Sequence, residues 1–124
     1  PKAFSGLVKT YLGVVDDAGL LSIVGRADEA ISTGGLTVVP QVVEAVIADD
    51  PAVAECVVVG LPDDRLGEVG RAYLTVRADA DLDEAQVIAF AKEHLANFKI
   101  PRSVVFVDEF PRNASGKILK RNLT

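Results

Sequence analysis

The stretch Pro111-Arg112-Asn113-Ala114-Ser115-Gly116-Lys117-Ile118 decides how the remaining residues are read. Its Ser-Gly pair gives a tight backbone and sets a flexible ammonium at the end, where a lysine can reach into a neighbour's site. A phosphate-cradling P-loop needs Gly five residues before the Gly of the Gly-Lys pair, and Ser or Thr after the lysine. Pro111 and Ile118 occupy those positions, so this is not a P-loop.

Working outward, Pro111 to Gly116 reads as a loop and Lys117 to Leu123 as a short helix or turn. Upstream, Ser103 to Val107 is an apolar strand. Before it, Lys99-Ile100-Pro101 should stop a helix, because the residue preceding a proline is pushed out of helical geometry. That helix opens on a capping box of Asp81 with Glu84 and carries Ile88, Ala91, Leu95 and Phe98 on one stripe. Val53 to Val59 and Val69 to Arg77 are two strands that should pair, joined through Leu61-Pro62-Asp63-Asp64 and Gly67. Pro40 suits the first turn of a helix with Val43, Val46 and Ile47 on its apolar face, ended by Asp49-Asp50-Pro51.

Thr33-Gly34-Gly35 forms a permissive loop able to approach a ligand's backbone closely. Residues 11–15 and 20–24 flank the turn signal Asp16-Asp17-Ala18-Gly19 and predict a β-hairpin. The fold class is α+β: a small mixed or antiparallel sheet with covering helices, plus an N-terminal β-hairpin. No internal repeat or low-complexity tract interrupts it.

Composition narrows the function. The 124 residues suit one core, and a chain that begins with Pro1 and lacks methionine reads as a piece excised from something longer. No apolar run approaches the ~18 residues of a membrane span. The lone Cys56 forms no internal disulfide, consistent with a cytoplasmic setting. A net charge of −5 argues against a nucleic-acid or anionic-membrane partner. The charge is uneven: from residue 99 onward six basic side chains face two acidic ones, against seven and sixteen earlier. A basic end on an acidic body suits a compact anion such as a nucleotide or pantetheine phosphate, although a solvated basic tail accounts for the same charge. No metal-ligand spacing occurs; His94 on a helix flank and Cys56 in mid-strand read as structural.

Four ordered motifs resemble the adenylate-forming enzymes, the family of acyl-CoA synthetases, peptide-synthetase adenylation domains and luciferases. Gly25-Arg26-Ala27-Asp28 looks like the hinge motif, and Gly34-Gly35 with Pro40 and Glu44 like the following glycine loop and helix. Phe98-Lys99-Ile100-Pro101 looks like the segment before the last strand, and Ser115-Gly116-Lys117 like the terminal lysine loop. The resemblance runs over residues 12–124 and implies a C-terminal lid domain at residues 26–124, preceded by a segment, residues 1–25, leading to the hinge.

The resemblance also implies chemistry. A carboxylate attacks the α-phosphorus of ATP, which is bound with Mg2+, giving an acyl-adenylate and pyrophosphate; CoA then takes the acyl group. Lys117 matches the lysine that meets the charge building on the reacting oxygens. Arg26 matches an arginine near the nucleotide ribose and phosphates; its plain reading is a hinge salt bridge. Asp28 matches the pivot about which the lid rotates, though without the family it is only a solvated acid near a turn. Gly34 and Gly35 match the loop beside the pantetheine tunnel, and Phe98 and Arg102 positions that meet CoA adenine and phosphates. The helical stripe makes Phe98 equally a core residue. The implied partners are the large N-terminal domain of the same enzyme, a carboxylic acid, ATP and CoA. The piece alone should bind none of these as a cofactor and be inactive.

One departure stands out: the family carries Thr-Gly-Asp before the Leu-Gly matched by Leu12-Gly13, where this chain has Lys9-Thr10-Tyr11. The ribose-binding acid is missing, so either residues 1–11 are a foreign junction, which the coincidence with the start at Pro1 favours, or the parent's nucleotide grip is altered. Peptide-synthetase domains usually end in Asn-Gly-Lys followed by Asp-Arg, whereas Ser115-Gly116-Lys117-Ile118-Leu119-Lys120-Arg121 favours an acyl-CoA ligase. The run from Ile31 to Gln41 is similar to actinobacterial o-succinylbenzoate-CoA ligases of menaquinone synthesis. The alternative from another class is a non-catalytic interaction module of the same fold, which has no need of a lysine on a glycine loop.

Overall fold

The computed structural model describes residues 4–8, 11–15, 21–26 and 29–123. Two sheets result. The first is antiparallel, β1 (Phe4–Val8), β2 (Tyr11–Val15) and β3 (Leu21–Arg26) in that order, with Tyr11 opposite Arg26 and Val15 opposite Leu21. The expected hairpin is therefore present as β2–β3, and β1 is an additional strand. The Lys9-Thr10 part of the missing ribose-binding motif and the proposed pivot Asp28 lie outside the described residues.

In the second sheet Leu36–Val38 (β5), Ile31–Thr33 (β4), Gly67–Val76 (β7) and Val53–Asp63 (β6) lie side by side in that order, with β8 (Ser103–Phe106) alongside β7. Strand β7 (Gly67–Val76) is its centre. One edge of β7 pairs antiparallel with β6 (Val53–Asp63) along its length; the other meets β4 (Ile31–Thr33) at Gly67 and then β8, in parallel, at Arg71 to Leu74. The sheet is thus mixed, as the sequence predicts, but β6 continues through Leu61-Pro62-Asp63, read from sequence as a connection. Pro62 is tolerated because β6 is an edge strand. Its free edge is partly covered: the Val58 amide donates to Glu44 Oε2 at 2.8 Å, and Lys120 Nζ lies 3.5 Å from the Val58 carbonyl.

Helix α1 (Pro40–Ala48) has proline in its first turn and buries Pro40, Val43 and Ile47. Helix α2 (Glu84–His94) departs from expectation at both ends. Its N-cap is Asp83, not Asp81: Asp83 Oδ1 accepts from the Gln86 amide at 2.8 Å, and Gln86 Oε1 accepts from the Asp83 amide at 2.9 Å. Both Asp-x-x-acid/amide registers fit the rule, but Glu84 is occupied elsewhere, its Oε2 accepting from the Val104 amide at 2.8 Å and tying α2 to β8. At the other end Leu95 turns extended, with φ −127° and ψ 149°, so the helix stops there and Phe98 leaves the expected stripe for a 3-10 turn, Asn97–Lys99.

Successive residues of β6, β7 and β8 face opposite ways. Val58, Ala72, Leu74 and Val104 join Val43, Ile47 and Val87 of the helices in one core. Val57, Val59 and Tyr73 form a second core with Phe110, on which Val105, Val107, Ile118 and Leu123 pack. Helices cover one face and the C-terminal tail the other, which is why Cys56-Val57-Val58-Val59 is a continuous apolar run and does not alternate. Tyr73 fastens the tail by donating its hydroxyl to the Leu123 carbonyl at 2.7 Å.

Candidate functional site

The lysine loop is a short two-stranded tip built on this tail. Arg112 and Ile118 face each other in an antiparallel bridge, and the Leu119 amide donates to the Pro111 carbonyl at 2.8 Å. Inside the tip, the Asn113 amide donates to the Lys117 carbonyl and the Gly116 amide to the Asn113 carbonyl, both at 2.9 Å. Asn113 Oδ1 then accepts from the Ser115 and Lys117 amides, at 2.9 and 3.0 Å, an Asx turn closing the loop from within. Gly116 sits at φ 85°, a conformation that strains any residue with a Cβ. Ile118 turns in to the second core and Lys117 is exposed.

Arg112 braces the tip from the side. Its guanidinium donates to the Gly116 carbonyl at 3.0 Å and pairs with the Glu55 carboxylate of β6. Lys117 has no carboxylate partner among the described residues, and its side chain is exposed on the braced tip. Sequence reasoning singled out Lys117 but not Asn113, Arg112 or Glu55. Asn113 two residues before Ser115 carried the turn signal; the pairing with Glu55, 57 residues away in sequence, carried none.

The glycine segment is a tighter object than a loop. Strands β4 and β5 (Leu36–Val38) pair directly, Thr33 opposite Leu36, across a two-residue turn with Gly34 at φ 57° and Gly35 at φ 82°. Both positive angles are what a type I′ hairpin demands. A Cβ on Gly35 would meet nothing within 4 Å, so backbone conformation, not crowding within the chain, requires glycine there. The Gly34 amide donates to the Leu66 carbonyl at 2.8 Å, anchoring the hairpin to the β6–β7 turn.

Around that turn other candidates gather. Asp63 accepts from the Leu66 and Arg65 amides at 2.9 and 3.1 Å. Its carboxyl is held below the usual range chiefly by the Leu66 amide, with further help from the Arg65 amide and the charges of Arg102 and Arg65. The Arg102 amide donates to the Gly70 carbonyl at 2.8 Å and its side chain is exposed. Phe98 is 38% exposed, which excludes the core alternative; β5, bearing exposed Leu36, runs beside its 3-10 turn. The Lys99 ammonium lies 5.7 Å from the Phe98 ring centroid. Gly34, Gly35, Phe98 and Arg102 thus share the β5–β4 end of the sheet, whereas Lys117 belongs to the tail on the second face. Arg26 is the last residue of β3, opposite Tyr11.

His94 stacks on Phe90 at 4.4 Å between centroids and bonds the Phe90 carbonyl through Nδ1 at 2.9 Å. The Cys56 thiol is pushed up to about 12, first by burial and then by the Glu44 carboxylate, against the opposing charge of Lys120; it stays a protonated thiol. Among the described residues no group of three His, Cys, Asp or Glu is placed to hold a metal ion, and no helix is long and apolar enough to cross a membrane.

An α+β domain with an exposed lysine on its tail corresponds to known proteins. The AMP-binding enzyme C-terminal domain family matches residues 42–117, and the chain belongs to that family. It is 54% identical over 112 residues to the 3-[(3aS,4S,7aS)-7a-methyl-1,5-dioxo-octahydro-1H-inden-4-yl]propanoyl:CoA ligase of Mycobacterium tuberculosis, covering 90% of this chain and 22% of that one. It is 42% identical to the 2-succinylbenzoate--CoA ligase of Bacillus licheniformis, with 90% and 23% covered. ATP-bound MatB from Rhodopseudomonas palustris superposes with a TM-score of 0.84 at 38% identity, over 94% of this chain and 23% of that one. The o-succinylbenzoate CoA synthetase (MenE) of Bacillus subtilis, in complex with its acyl-adenylate intermediate OSB-AMP, gives 0.87 at 36%, over 95% and 24%. The chain spans about a fifth of the length of the curated relatives it matches.

Proposed function

We propose that this chain is the mobile lid, residues 26–124, of an AMP-forming acid–CoA ligase, preceded by a short segment, residues 1–25, that leads to the hinge. The relatives named as CoA ligases support this, and the exposed Lys117 on its braced tip is the observation that carries it. In the first half-reaction a substrate carboxylate attacks the α-phosphorus of ATP, and pyrophosphate leaves. Lys117, swung over the cleft of the large domain, stabilises the charge that develops on the transferring phosphoryl oxygens, with Arg26 near the ribose and phosphates and Mg2+ brought in by the ATP.

In the second half-reaction the lid turns about Asp28 and presents its other end. The CoA thiol attacks the acyl carbonyl, forming the thioester and expelling AMP. Gly34 and Gly35 let the pantetheine arm pass, while Phe98 offers a stacking face and Arg102 a cation for the adenine and phosphates of CoA. Two substrate-named relatives act on acids carried by ring systems, so a ring-bearing alkanoate is the substrate class; 2-succinylbenzoate is one member. Consumption of ATP and CoA suits a cytoplasmic parent.

The test is a pair of assays. The full-length enzyme should form acyl-CoA and AMP from a ring-bearing acid, ATP and CoA. The isolated chain should show no ATP–pyrophosphate exchange, since the adenine pocket and the carboxylate site belong to the large domain. Exchange by the isolated chain would contradict the reading.

A further inference from the structure

Lys120, three residues beyond the lysine tip, has no part in the chemistry above. Its Nζ nevertheless lies 3.0 Å from Glu44 Oε2, 3.2 Å from Glu29 Oε1 and 3.5 Å from the Val58 carbonyl oxygen. Those groups come from three places. Glu29 immediately follows the pivot position, Glu44 is on α1, and Val58 is on the free edge of β6. Each carboxylate is engaged again: Glu29 accepts from the Gln41 side-chain amide, and Glu44 Oε2 from the Val58 amide. One cation therefore joins the tail that carries Lys117 to the segment leaving the pivot.

The setting makes this clasp stronger than an ordinary surface pair. The Lys120, Glu44 and Glu29 side chains are 24, 18 and 28% exposed, against 40 and 43% for the Arg112–Glu55 brace. Less exposure means less screening by water and salt. Taking away the ammonium also leaves two carboxylates facing one half-buried site, and like charges so placed push each other apart.

We propose that Lys120 is a positioning residue: the Glu29–Lys120–Glu44 clasp couples the backbone leaving the pivot to the Lys117 tip, so rotation at the hinge carries the lysine to a fixed place. The inference rests on the reading of Lys117 as the adenylation lysine. Without the clasp the tail keeps its apolar contacts and the Tyr73–Leu123 bond, so the domain folds, but the tip is no longer registered to the hinge.

The experiment uses the full-length enzyme and measures ATP–pyrophosphate exchange beside thioester formation from preformed acyl-adenylate. Lys120→Met should lower kcat of exchange about tenfold, the scale of a small misplacement of a reacting group, with the KM for ATP unchanged within about twofold. Thioester formation should hold within about twofold, and Lys120→Arg should restore most of the exchange, since it returns the cation. Glu44→Gln combined with Lys120→Met should lose no more than Lys120→Met alone. An equal fall in both half-reactions, or no rescue by arginine, would reduce Lys120 to a general stabiliser and overturn the proposal. Lys117→Ala is run in parallel. Full exchange by Lys120→Met beside a dead Lys117→Ala would sink the clasp alone, whereas full exchange by Lys117→Ala would sink the functional reading beneath it.

Discussion

The lysine tip and the glycine hairpin are both two-stranded turns of a few residues, yet they are held by different means. At the tip, side chains impose the shape: Asn113 closes the turn from within, Arg112 and Glu55 brace it from outside, and Ile118 pins it to the second core. At the hairpin turn the backbone does so, with two consecutive glycines at positive φ and a hydrogen bond from the Gly34 amide to the Leu66 carbonyl. On the proposed function the tip delivers one charged group to a fixed point, which a rigid side-chain scaffold suits, and the turn lets a ligand slide past, which a turn without side chains suits.

That contrast can be broken in graded steps. The largest effect should come from the sheet that carries both regions: Leu74 of its central strand β7 is fully buried, and Leu74→Ala should cost about 2–5 kcal/mol. Denaturant unfolding would record the loss, and both half-reactions should suffer alike once the lid melts. Next, Gly35→Ala should cost about 1–2 kcal/mol through the positive φ alone, as no neighbour stands in the way of the new methyl. A loss well under that range would mean the turn relaxes to another type.

Smaller again, Asn113→Ala should cost about 1 kcal/mol and raise amide hydrogen exchange at Ser115 and Lys117 while leaving Gly34 unchanged. Equal changes at both sites would erase the distinction between them. The smallest effect belongs to Asp63, whose carboxyl is depressed in the folded chain. Its contribution is present above the ordinary carboxylate range and fades as pH falls through the lowered value. The acid limb of the stability profile should therefore be shallower in Asp63→Asn, as read by unfolding at stepped pH.

Much of the fold was legible because each signal was local. Pro40 with Val43 and Ile47 announced α1, the β-branched runs announced β6 and β7, and Asp16 to Gly19 separated β2 from β3. What escaped depended on competition or distance. Asp81 and Asp83 offered rival caps, and the choice was settled by Glu84 reaching across to β8. Strand β1 and the extension of β6 through Pro62 have no local marker, and Gly34-Gly35 is a loop or a hairpin until its neighbours are known to pair. Of the candidate site, Lys117 stood out on the strength of its motif. The carboxylates that pair with its neighbours Arg112 and Lys120, Glu55 and Glu29, are 57 and 91 positions away from them, beyond any pattern a single sequence displays.

On the proposed function, one end of the lid serves adenylation and the other the thioester step. In the full-length enzyme, Lys117→Ala should depress ATP–pyrophosphate exchange by about 10²–10³ while thioester formation from preformed acyl-adenylate stays within about twofold. Matching losses in both reactions would contradict the division of labour.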